Sequence, residues 1–263
     1  MSPSKAIKLL RDNRKLLVAG AARKLALVLA KAGPSPLSNF EYNKSIWDAY
    51  SARWTKQTAA KDRESCLQAL GDEWGRAADV VKIVEEYIYP YVDANSVVAE
   101  IGVGGGRIAA KVAPKCQRLQ CYDISANMLE RAKVYLAGRP NVTFTLLDRP
   151  QLNAASQTFD FVYSFDVFVH LDVHTMWKYF RDFERVLKPG GHAFVHTTNL
   201  KAPGGWEHFA QQDHYTVEGH YPVVPETVAV LAERCGLKIV KSSSVDPRNY
   251  YLNRDYLAIL KKD

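Results

Sequence analysis

A short run of glycines near the middle of the chain constrains its fold more than any other feature. Residues 96–107 read Ser-Val-Val-Ala-Glu-Ile-Gly-Val-Gly-Gly-Gly-Arg, which predicts a buried strand that stops at Gly102. Gly102, Gly104 and Gly106 permit a backbone with positive φ and leave no side chain where a ligand must come close. A helix is predicted to follow through Lys111, and its first unpaired N–H groups point into the same space. The run therefore predicts a ligand site at the end of a strand.

The residue at the end of this strand indicates which ligand binds. Glu100 places a carboxylate just before the glycines, where it suits a ligand with positive charge or hydroxyl groups and repels a pyrophosphate. We therefore predict S-adenosyl-L-methionine as the cofactor. The pattern Gly104-x-Gly106-x-x-Ala109 also fits the dinucleotide fingerprint, so an NAD(P)-dependent oxidoreductase is the alternative. Glu100, and a strand that runs directly into Gly102, count against it.

The positive charge of the chain is concentrated at its N-terminus. The net charge is +7, and residues 1–33 hold eight basic residues and one acid, so the rest of the chain carries 27 charges of each sign. Several apolar residues of this segment share a broad side of a helix, but Arg14 lies among them and three leucines lie on the opposite side, so the helix is only moderately amphipathic. Such a basic helix suits contact with an anionic membrane surface, with the domain itself or with a second subunit. An organelle transit peptide is left open, whereas a secretory signal and nucleic-acid binding fit poorly.

Prolines and cysteines limit the domain organisation and the compartment. Residues 33–36 read Gly-Pro-Ser-Pro, and prolines disfavour a helix there. We therefore predict a basic helical extension and linker over residues 1–36 and one domain over residues 37–263. The four cysteines contain no C-x-x-C pair, and no apolar run approaches the roughly 20 residues that span a bilayer. These features predict a cytoplasmic protein, which would be peripheral at a membrane if its N-terminal helix binds the membrane surface. They also predict no transmembrane segment, no disulfide framework and no metal site.

Strand and helix patterns alternate from residue 96 onward. The predicted strands are 97–101, 118–122, 142–147, 159–164 and 191–197, and the helices between them are about 106–113, 125–137 and 174–187. Two last strands, 237–245 and 254–260, leave no room for a helix between them and should pair antiparallel. A helix at about 76–87 follows an aromatic-rich helical cap. This alternation predicts a Rossmann-like α/β fold, a mostly parallel sheet with helices on both faces.

Two aromatic segments flank the predicted site. Tyr42 and Trp47 belong to a stretch with helical spacing, which suits either a lid over the cofactor or ordinary core packing. Residues 200–224 are rich in aromatic and histidine side chains, among them Trp206, His214 and Tyr215. Because loops of this length are usually functional, we predict a lid-like insertion that contacts the acceptor. The alternative is a surface excursion held down by its aromatics.

Five stretches, in this order, resemble the motifs of class I S-adenosylmethionine-dependent methyltransferases. They are Glu100-x-Gly102-x-Gly104-x-Gly106, Tyr122-Asp123-Ile124-Ser125, Leu147-Asp148-Arg149, residues 159–164 (Phe-Asp-Phe-Val-Tyr-Ser) and residues 186–191 (Val-Leu-Lys-Pro-Gly-Gly). The resemblance covers about residues 40–263. It implies a seven-stranded sheet of order 3-2-1-4-5-7-6 with an antiparallel strand 7. It says little about the substrate.

Asp123 is the strongest candidate contact beyond the glycines. It lies 19 residues past Gly104, at the end of the second strand, where a carboxylate can accept both hydrogen bonds of a ribose diol. Its neighbour Ile124 belongs to the same motif, and Ser125 is predicted to cap the next helix. With Glu100 and the glycine turn, these residues form the predicted cofactor site.

Two further motifs complete the predicted cofactor contacts. Asp148 and its neighbour Arg149 end the third strand, where the family places an acid against the adenine amino group. Asp148 is also a common turn former, which is the alternative. By the same resemblance, Ser164 and Phe165 at the end of the fourth strand lie near the cofactor.

The chain leaving the fourth strand carries the candidate catalytic residues. The carboxyl end of a strand in an open α/β sheet faces the ligand crevice, and the resemblance puts His170 near the departing methyl group. A hydroxyl acceptor needs a base within hydrogen-bond reach, and histidine is the side chain poised near neutral pH. We predict His170 as this base, with Asp166 or His196 as substitutes. A capping or packing role for His170 is the alternative.

The predicted activity is methyl transfer to a small or medium acceptor. The lid and the cap favour such an acceptor over nucleic acid or a protein tail, and the histidines favour a hydroxyl of a sugar, glycan, lipid-linked or aromatic compound. N-methylation of a small molecule is the alternative. A second alternative is a non-catalytic binding module with the same fold.

Overall fold

A computed structural model describes residues 38–58, 75–214 and 219–263. The predicted basic helix and linker of residues 1–36, and Tyr215 of the predicted lid, lie outside the described residues. Among the helices that are described, none is long and apolar enough to cross a membrane.

Seven strands of the described chain form one sheet. They are β1 (Val97–Ile101), β2 (Arg118–Asp123), β3 (Val142–Leu146), β4 (Phe159–Ser164), β5 (Leu187–Thr198), β6 (Leu237–Ser242) and β7 (Asp255–Lys262). Their order is β3-β2-β1-β4-β5-β7-β6, and β7 alone runs antiparallel to its neighbours. The fold class, the strand order and the antiparallel strand 7 are confirmed.

The helices cover both faces of this sheet. Those of the described residues are α1 (Asn39–Thr58), α2 (Ala77–Ile83), α3 (Ala109–Val112), α4 (Ala126–Tyr135), α5 (Val173–Val186), α6 (Pro203–Ala210) and α7 (Pro225–Arg234). α5 and α7 pack into the core on one face, and α2, α3 and α4 pack on the other. Ser125 caps α4 as predicted, because its hydroxyl accepts the N–H of Met128 at 3.2 Å. With both faces covered, the central strands are almost wholly buried.

Residues 200–224 are not the single long loop that the sequence suggests, because they contain α6. Pro203 occupies the first turn of this helix. Backbone N–H groups there have no acceptor within the helix, so the N–H that proline lacks costs no hydrogen bond. The glycines that follow are required by packing, since a Cβ on Gly205 would lie 2.0 Å from the carbonyl oxygen of Asn199. β5 also begins before residue 191, because Leu187 already pairs with Phe159 ahead of a bulge.

The strand order fixes where a ligand can bind. The chain runs outward from β1 through β2 to β3, and then resumes on the other side of β1 with β4 and β5. The loops that leave β1 and β4 therefore diverge and open a crevice at the carboxyl ends of the strands.

Candidate active site

The glycine turn is closed by hydrogen bonds to the neighbouring strand. The N–H groups of Gly102 and Val103 both donate to the carbonyl oxygen of Tyr122, at 2.8 and 3.1 Å. Gly102, Gly104 and Gly106 have φ angles of +75°, +52° and +94°. Only glycine adopts such angles without strain, so the predicted positive φ at these glycines is confirmed.

The three glycines have different surroundings. A Cβ on Gly102 would lie 2.2 Å from Cγ2 of Val167, and one on Gly106 would lie 3.1 Å from Cδ1 of Tyr135. A Cβ on Gly104 would meet no described atom within 4 Å, and Gly104 lines a cavity. Packing therefore explains Gly102 and Gly106, whereas Gly104 leaves open space for a ligand.

Gly102→Ala should destabilise the fold strongly. The added methyl group overlaps Val167, which costs about 1–3 kcal/mol, and the positive φ costs about 1–2 kcal/mol more. Urea unfolding should show this loss. Gly190→Ala is the matched control, since Gly190 has φ +77° but a Cβ there meets no described atom within 4 Å. An equal loss in both variants would contradict the packing role of Gly102.

Asp123 joins the glycine turn to β2. Its Oδ2 accepts the N–H of Gly104 at 2.9 Å, and its Oδ1 accepts the N–H of Ser125 at 2.8 Å. Burial raises the pKa of this carboxyl to about 6, although these backbone hydrogen bonds oppose the rise. A carboxylate has about four acceptor sites, so Asp123 keeps acceptor capacity for a ligand in the cavity that it lines.

Glu100 brings a second carboxyl group to the same wall. It is buried, and the hydroxyl of Tyr163 donates to its Oε2 at 2.9 Å. Burial raises the pKa of Glu100 well above its usual range, and the charge of nearby Asp123 adds to the rise. Once ionised above pH 6, Asp123 makes this wall unfavourable for a pyrophosphate.

The cavity is partly open to solvent and contains about 940 Å³ of empty space, a figure that includes open solvent. Most of its lining comes from three segments: the glycine turn with the end of β2, the first half of α1, and the loop after β4. α1 contributes Phe40, Asn43 and Trp47, so the predicted helical cap covers the site. The mostly apolar lining with a few convergent polar groups is typical of a small-molecule site.

His170 lies at this cavity and is held by α1. Its main-chain carbonyl accepts hydrogen bonds from the side-chain amides of Asn39 and Asn43, each at 3.2 Å. Its ring packs edge-on against Trp47, with centroids 5.0 Å apart. Its Nδ1 lies 3.1 Å from the carbonyl oxygen of Gly219. Because a carbonyl oxygen only accepts, Nδ1 carries the hydrogen, and in the neutral imidazole the lone pair is then on Nε2.

Asp166 and Arg107 form an ion pair on the cavity wall. Arg107 Nη2 lies 3.0 Å from Asp166 Oδ2, which also accepts the hydroxyl of Tyr251 at 3.2 Å. Asp166 has φ +58°, a conformation that few non-glycine residues adopt. Sequence reasoning misses Arg107, although it directly follows the glycine motif. It also misses Asn43, which precedes Trp47 by one helical turn.

His196 does not line the cavity. It is fully buried behind Phe165, whose ring stacks on the imidazole with centroids 4.8 Å apart. Its Nδ1 accepts the N–H of Asp166 at 3.1 Å. Of the three candidate catalytic residues, the structure therefore brings His170 and Asp166 to the cavity and places His196 behind its wall.

Of the other predicted cofactor contacts, some line the cavity and others do not. Ile124 and Phe165 line the cavity. Ser164 is buried, and its Oγ donates to the carbonyl oxygen of Ile101 at 3.0 Å, which ties β4 to β1. Asp148 and Arg149 are exposed and lie outside the cavity lining. Their adenine-side role stays a prediction.

Of the predicted acceptor contacts, Trp47 lines the cavity. Tyr42 and Trp206 are exposed, at 40% and 58%, and are not among the lining residues. His214 is also exposed and outside the lining. The acceptor roles of these side chains stay predictions.

Comparisons with known proteins agree with this geometry. Residues 98–191 match a family model described as a methyltransferase domain. The solved structure of a SAM-dependent methyltransferase from Methanosarcina mazei is 15% identical and covers 67% of this chain and 97% of its own, with a TM-score of 0.54. The cyclase SpnF is 16% identical and covers 87% and 97%, with a TM-score of 0.64. At these identities the two structures show the fold alone.

A curated relative extends the comparison. Phosphoethanolamine N-methyltransferase 1 of Triticum aestivum is 24% identical over 188 residues, which are 69% of this chain and 35% of that protein. The chain therefore spans about a third of the length of this relative.

S-adenosylmethionine is the cofactor that the class I methyltransferase fold implies, and the residues present fit it. Gly104 leaves an open cradle, Asp123 has acceptor capacity for a ribose diol, and a positively charged ligand would favour the ionised form of the buried Glu100. The motif order, the sheet topology and the family match agree: the chain has the Rossmann-like fold of the class I methyltransferases, residues 98–191 match a methyltransferase domain, and the cofactor that this match implies is S-adenosylmethionine.

Proposed function

We propose that the protein is an enzyme that methylates a hydroxyl group of a small or medium acceptor, on a sugar, glycan, lipid-linked or aromatic compound. The observation that carries this proposal is the placement of His170 at the cavity with its lone pair on Nε2. A hydroxyl loses its proton when it is methylated, and a histidine at hydrogen-bond distance can take that proton. An acceptor whose hydroxyl lies against Nε2 meets this requirement.

S-adenosylmethionine, when bound, supplies an electrophilic methyl group on its sulfonium. The glycine turn and Asp123 would hold the cofactor, and the positive charge of the cofactor would favour the ionised form of Glu100. Phe40 and Trp47 on α1 cover the cavity with apolar surface, which restricts water. The amides of Asn39 and Asn43 hold the main chain of His170, so that the base is oriented before the acceptor binds.

An amine acceptor is the second candidate. The wheat relative favours it, because the name of that protein specifies N-methylation. A neutral amine is nucleophilic before it loses a proton, so its methylation depends less on a base. The two acceptor types should therefore differ in their dependence on His170.

A labelled-methyl assay separates these candidates. The full chain is incubated with S-adenosylmethionine carrying a labelled methyl group and with matched phenols, sugars and amines, and mass spectrometry identifies the methylated atom. Transfer to oxygen supports the proposal. Transfer to nitrogen alone contradicts the hydroxyl acceptor. Binding of S-adenosylhomocysteine without transfer to any acceptor favours a non-catalytic module.

Binding of S-adenosylhomocysteine should strengthen with pH. The pKa of Asp123 is about 6 in the folded chain and about 3.9 when unfolded. The Asp123 contribution to the free energy of unfolding is therefore present below pH 4 and is lost as pH rises through 6. A ribose diol needs the ionised carboxylate as its acceptor. At pH 5 only about a tenth of the Asp123 carboxyl groups are ionised, so the affinity for S-adenosylhomocysteine should be about tenfold weaker than at pH 8.

Calorimetry at both pH values checks this expectation. Asp123→Asn should bind weakly and without this pH dependence, whereas Asp213→Asn, at an exposed position outside the cavity lining, should behave like the wild type. An unchanged wild-type affinity between pH 5 and 8 would remove Asp123 from the ribose site.

We further propose a cytoplasmic location, with contact to a membrane surface or a second subunit through residues 1–33. Cys116, Cys121 and Cys235 are free and buried, which suits a reducing compartment. Burial raises the pKa of all three thiols, so they are poor nucleophiles.

A further inference from the structure

We propose that His196 and Asp255 are positioning residues that hold Asp166, and through it Arg107, at the wall of the cofactor cavity. The inference rests on the proposed function of this cavity. In this inference His196 supports the cavity wall, whereas the sequence alone suggests it as a substitute for His170 as the base.

The arrangement begins with a buried carboxylate at the start of β7. Asp255 is 2% exposed, and Arg254 binds it through Nε at 2.9 Å and Nη2 at 2.7 Å. Burial alone would raise the pKa of Asp255, but the charge of Arg254 and the contact with His196 lower it to about 2. Asp255 is therefore a fixed negative charge at neutral pH.

This charge selects one tautomer of His196. Nε2 of His196 lies 3.0 Å from Asp255 Oδ2, while Nδ1 accepts the N–H of Asp166. A nitrogen that accepts cannot also carry a hydrogen, so the hydrogen of the neutral ring is on Nε2, at ion-pair distance from the carboxylate but without the geometry of a hydrogen bond. The imidazole is fully buried and its Nδ1 is occupied by the Asp166 N–H, which leaves it unsuited to take a proton from an acceptor.

The bond to Asp166 supports a strained backbone. Asp166 has φ +58°, and its N–H points inward to His196, away from the cavity that the residue lines. Without an acceptor this buried N–H would be unpaired, and the loop would gain by relaxing to an ordinary conformation. His196 therefore stabilises the conformation in which the Asp166 carboxylate meets Arg107.

Arg107 carries the effect to the cavity. Its guanidinium lies 3.0 Å from the Asp166 carboxylate and 6.0 Å from the ring of Phe165, which also stacks on His196. A change at His196 therefore reaches both members of the ion pair and an aromatic wall of the site. The expected consequence is weaker binding of the cofactor rather than loss of the proton-transfer step.

Two substitutions at His196 test this inference. In His196→Asn the amide oxygen can occupy the position of Nδ1 and accept a hydrogen bond from the N–H of Asp166. His196→Leu keeps a side chain of similar size but removes the acceptor. Calorimetry with S-adenosylhomocysteine should show a Kd at least tenfold higher for His196→Leu and within about threefold of wild type for His196→Asn. In turnover, His196→Leu should raise KM for S-adenosylmethionine with little change in kcat.

Two readouts need no ligand, so they separate this inference from the proposed function. Nitrogen-15 NMR of the wild type should show the Nε2–H tautomer of His196. The Asp166 amide should be protected from hydrogen exchange in wild type and His196→Asn, and exposed in His196→Leu. Where His196→Leu does not fold, Asp255→Asn replaces it, and the single tautomer should be lost.

Three outcomes would overturn the inference. The first is an Nδ1–H tautomer in the wild type. The second is equal binding and equal amide protection in both His196 variants. The third is a loss of kcat in His196→Asn of 100-fold or more with unchanged binding, which would mark His196 as a base. Failure of the wild-type protein to bind S-adenosylhomocysteine would instead refute the cofactor assignment and leave the NMR tests to decide.

Discussion

Gly104→Ala should weaken the binding of S-adenosylhomocysteine at least 100-fold and leave the protein folded. The added Cβ meets no described atom within 4 Å, because it projects into the open cradle of the glycine turn. The turn brings its backbone close to the ligand, so a methyl group here displaces the ligand itself. The cost to folding is the strain of a non-glycine residue at φ +52°, about 1–2 kcal/mol.

Gly138→Ala is the matched control for this prediction. Gly138 has φ +87°, a Cβ there meets no described atom within 4 Å, and the residue lies outside the cavity lining. It should lose a similar amount of stability, a fall in Tm of a few degrees at this size, and should keep its affinity. Calorimetric titration of both variants decides the matter. Wild-type affinity in Gly104→Ala would show that the glycine turn does not hold the cofactor.

His170→Ala should lower kcat on a hydroxyl acceptor by about 10²–10⁴-fold, the usual contribution of a positioned general base. Its affinity for S-adenosylhomocysteine should change only a few-fold, because Asp123 and the glycine turn remain. His170→Gln keeps most of the side-chain volume and should show the same loss, which separates the base from its packing against Trp47.

His214→Ala is the control for this variant. His214 is exposed and lies outside the cavity lining, so its replacement should leave kcat unchanged. Steady-state kinetics with the hydroxyl acceptor found in the labelled-methyl assay provides the measurement. Full turnover by His170→Gln would contradict the base role and would favour an acceptor that needs no base.

The sequence predicts those parts of the molecule that depend on residues close together in the chain. The strand that ends at Gly102 and the Ser125 cap each follow from a local pattern. The alternation of strands and helices predicts a mostly parallel sheet, and the family resemblance implies its strand order. Asp123 is found because it lies at the end of the strand after the glycine motif. Local patterns also mislead, as at Gly205, where a glycine that suggests a loop instead lets a helix approach the carbonyl oxygen of Asn199.

The cavity wall behind Asp166 could not be predicted in this way. Asp166 is 59 residues from Arg107 and 85 from Tyr251 in the chain, and His196 is 59 from Asp255. Each of these residues has ordinary local surroundings, and only the pairing of β4, β5 and β7 brings them together. His196 therefore looks like one more histidine near the site until its two partners are seen.

Calorimetric titration of the full chain with S-adenosylhomocysteine, and separately with NAD⁺ and NADP⁺, tests the central claim most directly. We expect S-adenosylhomocysteine to bind at one site per chain and neither nicotinamide cofactor to bind. Binding of NAD⁺ or NADP⁺ without binding of S-adenosylhomocysteine would contradict the cofactor assignment and the methyltransferase function built on it.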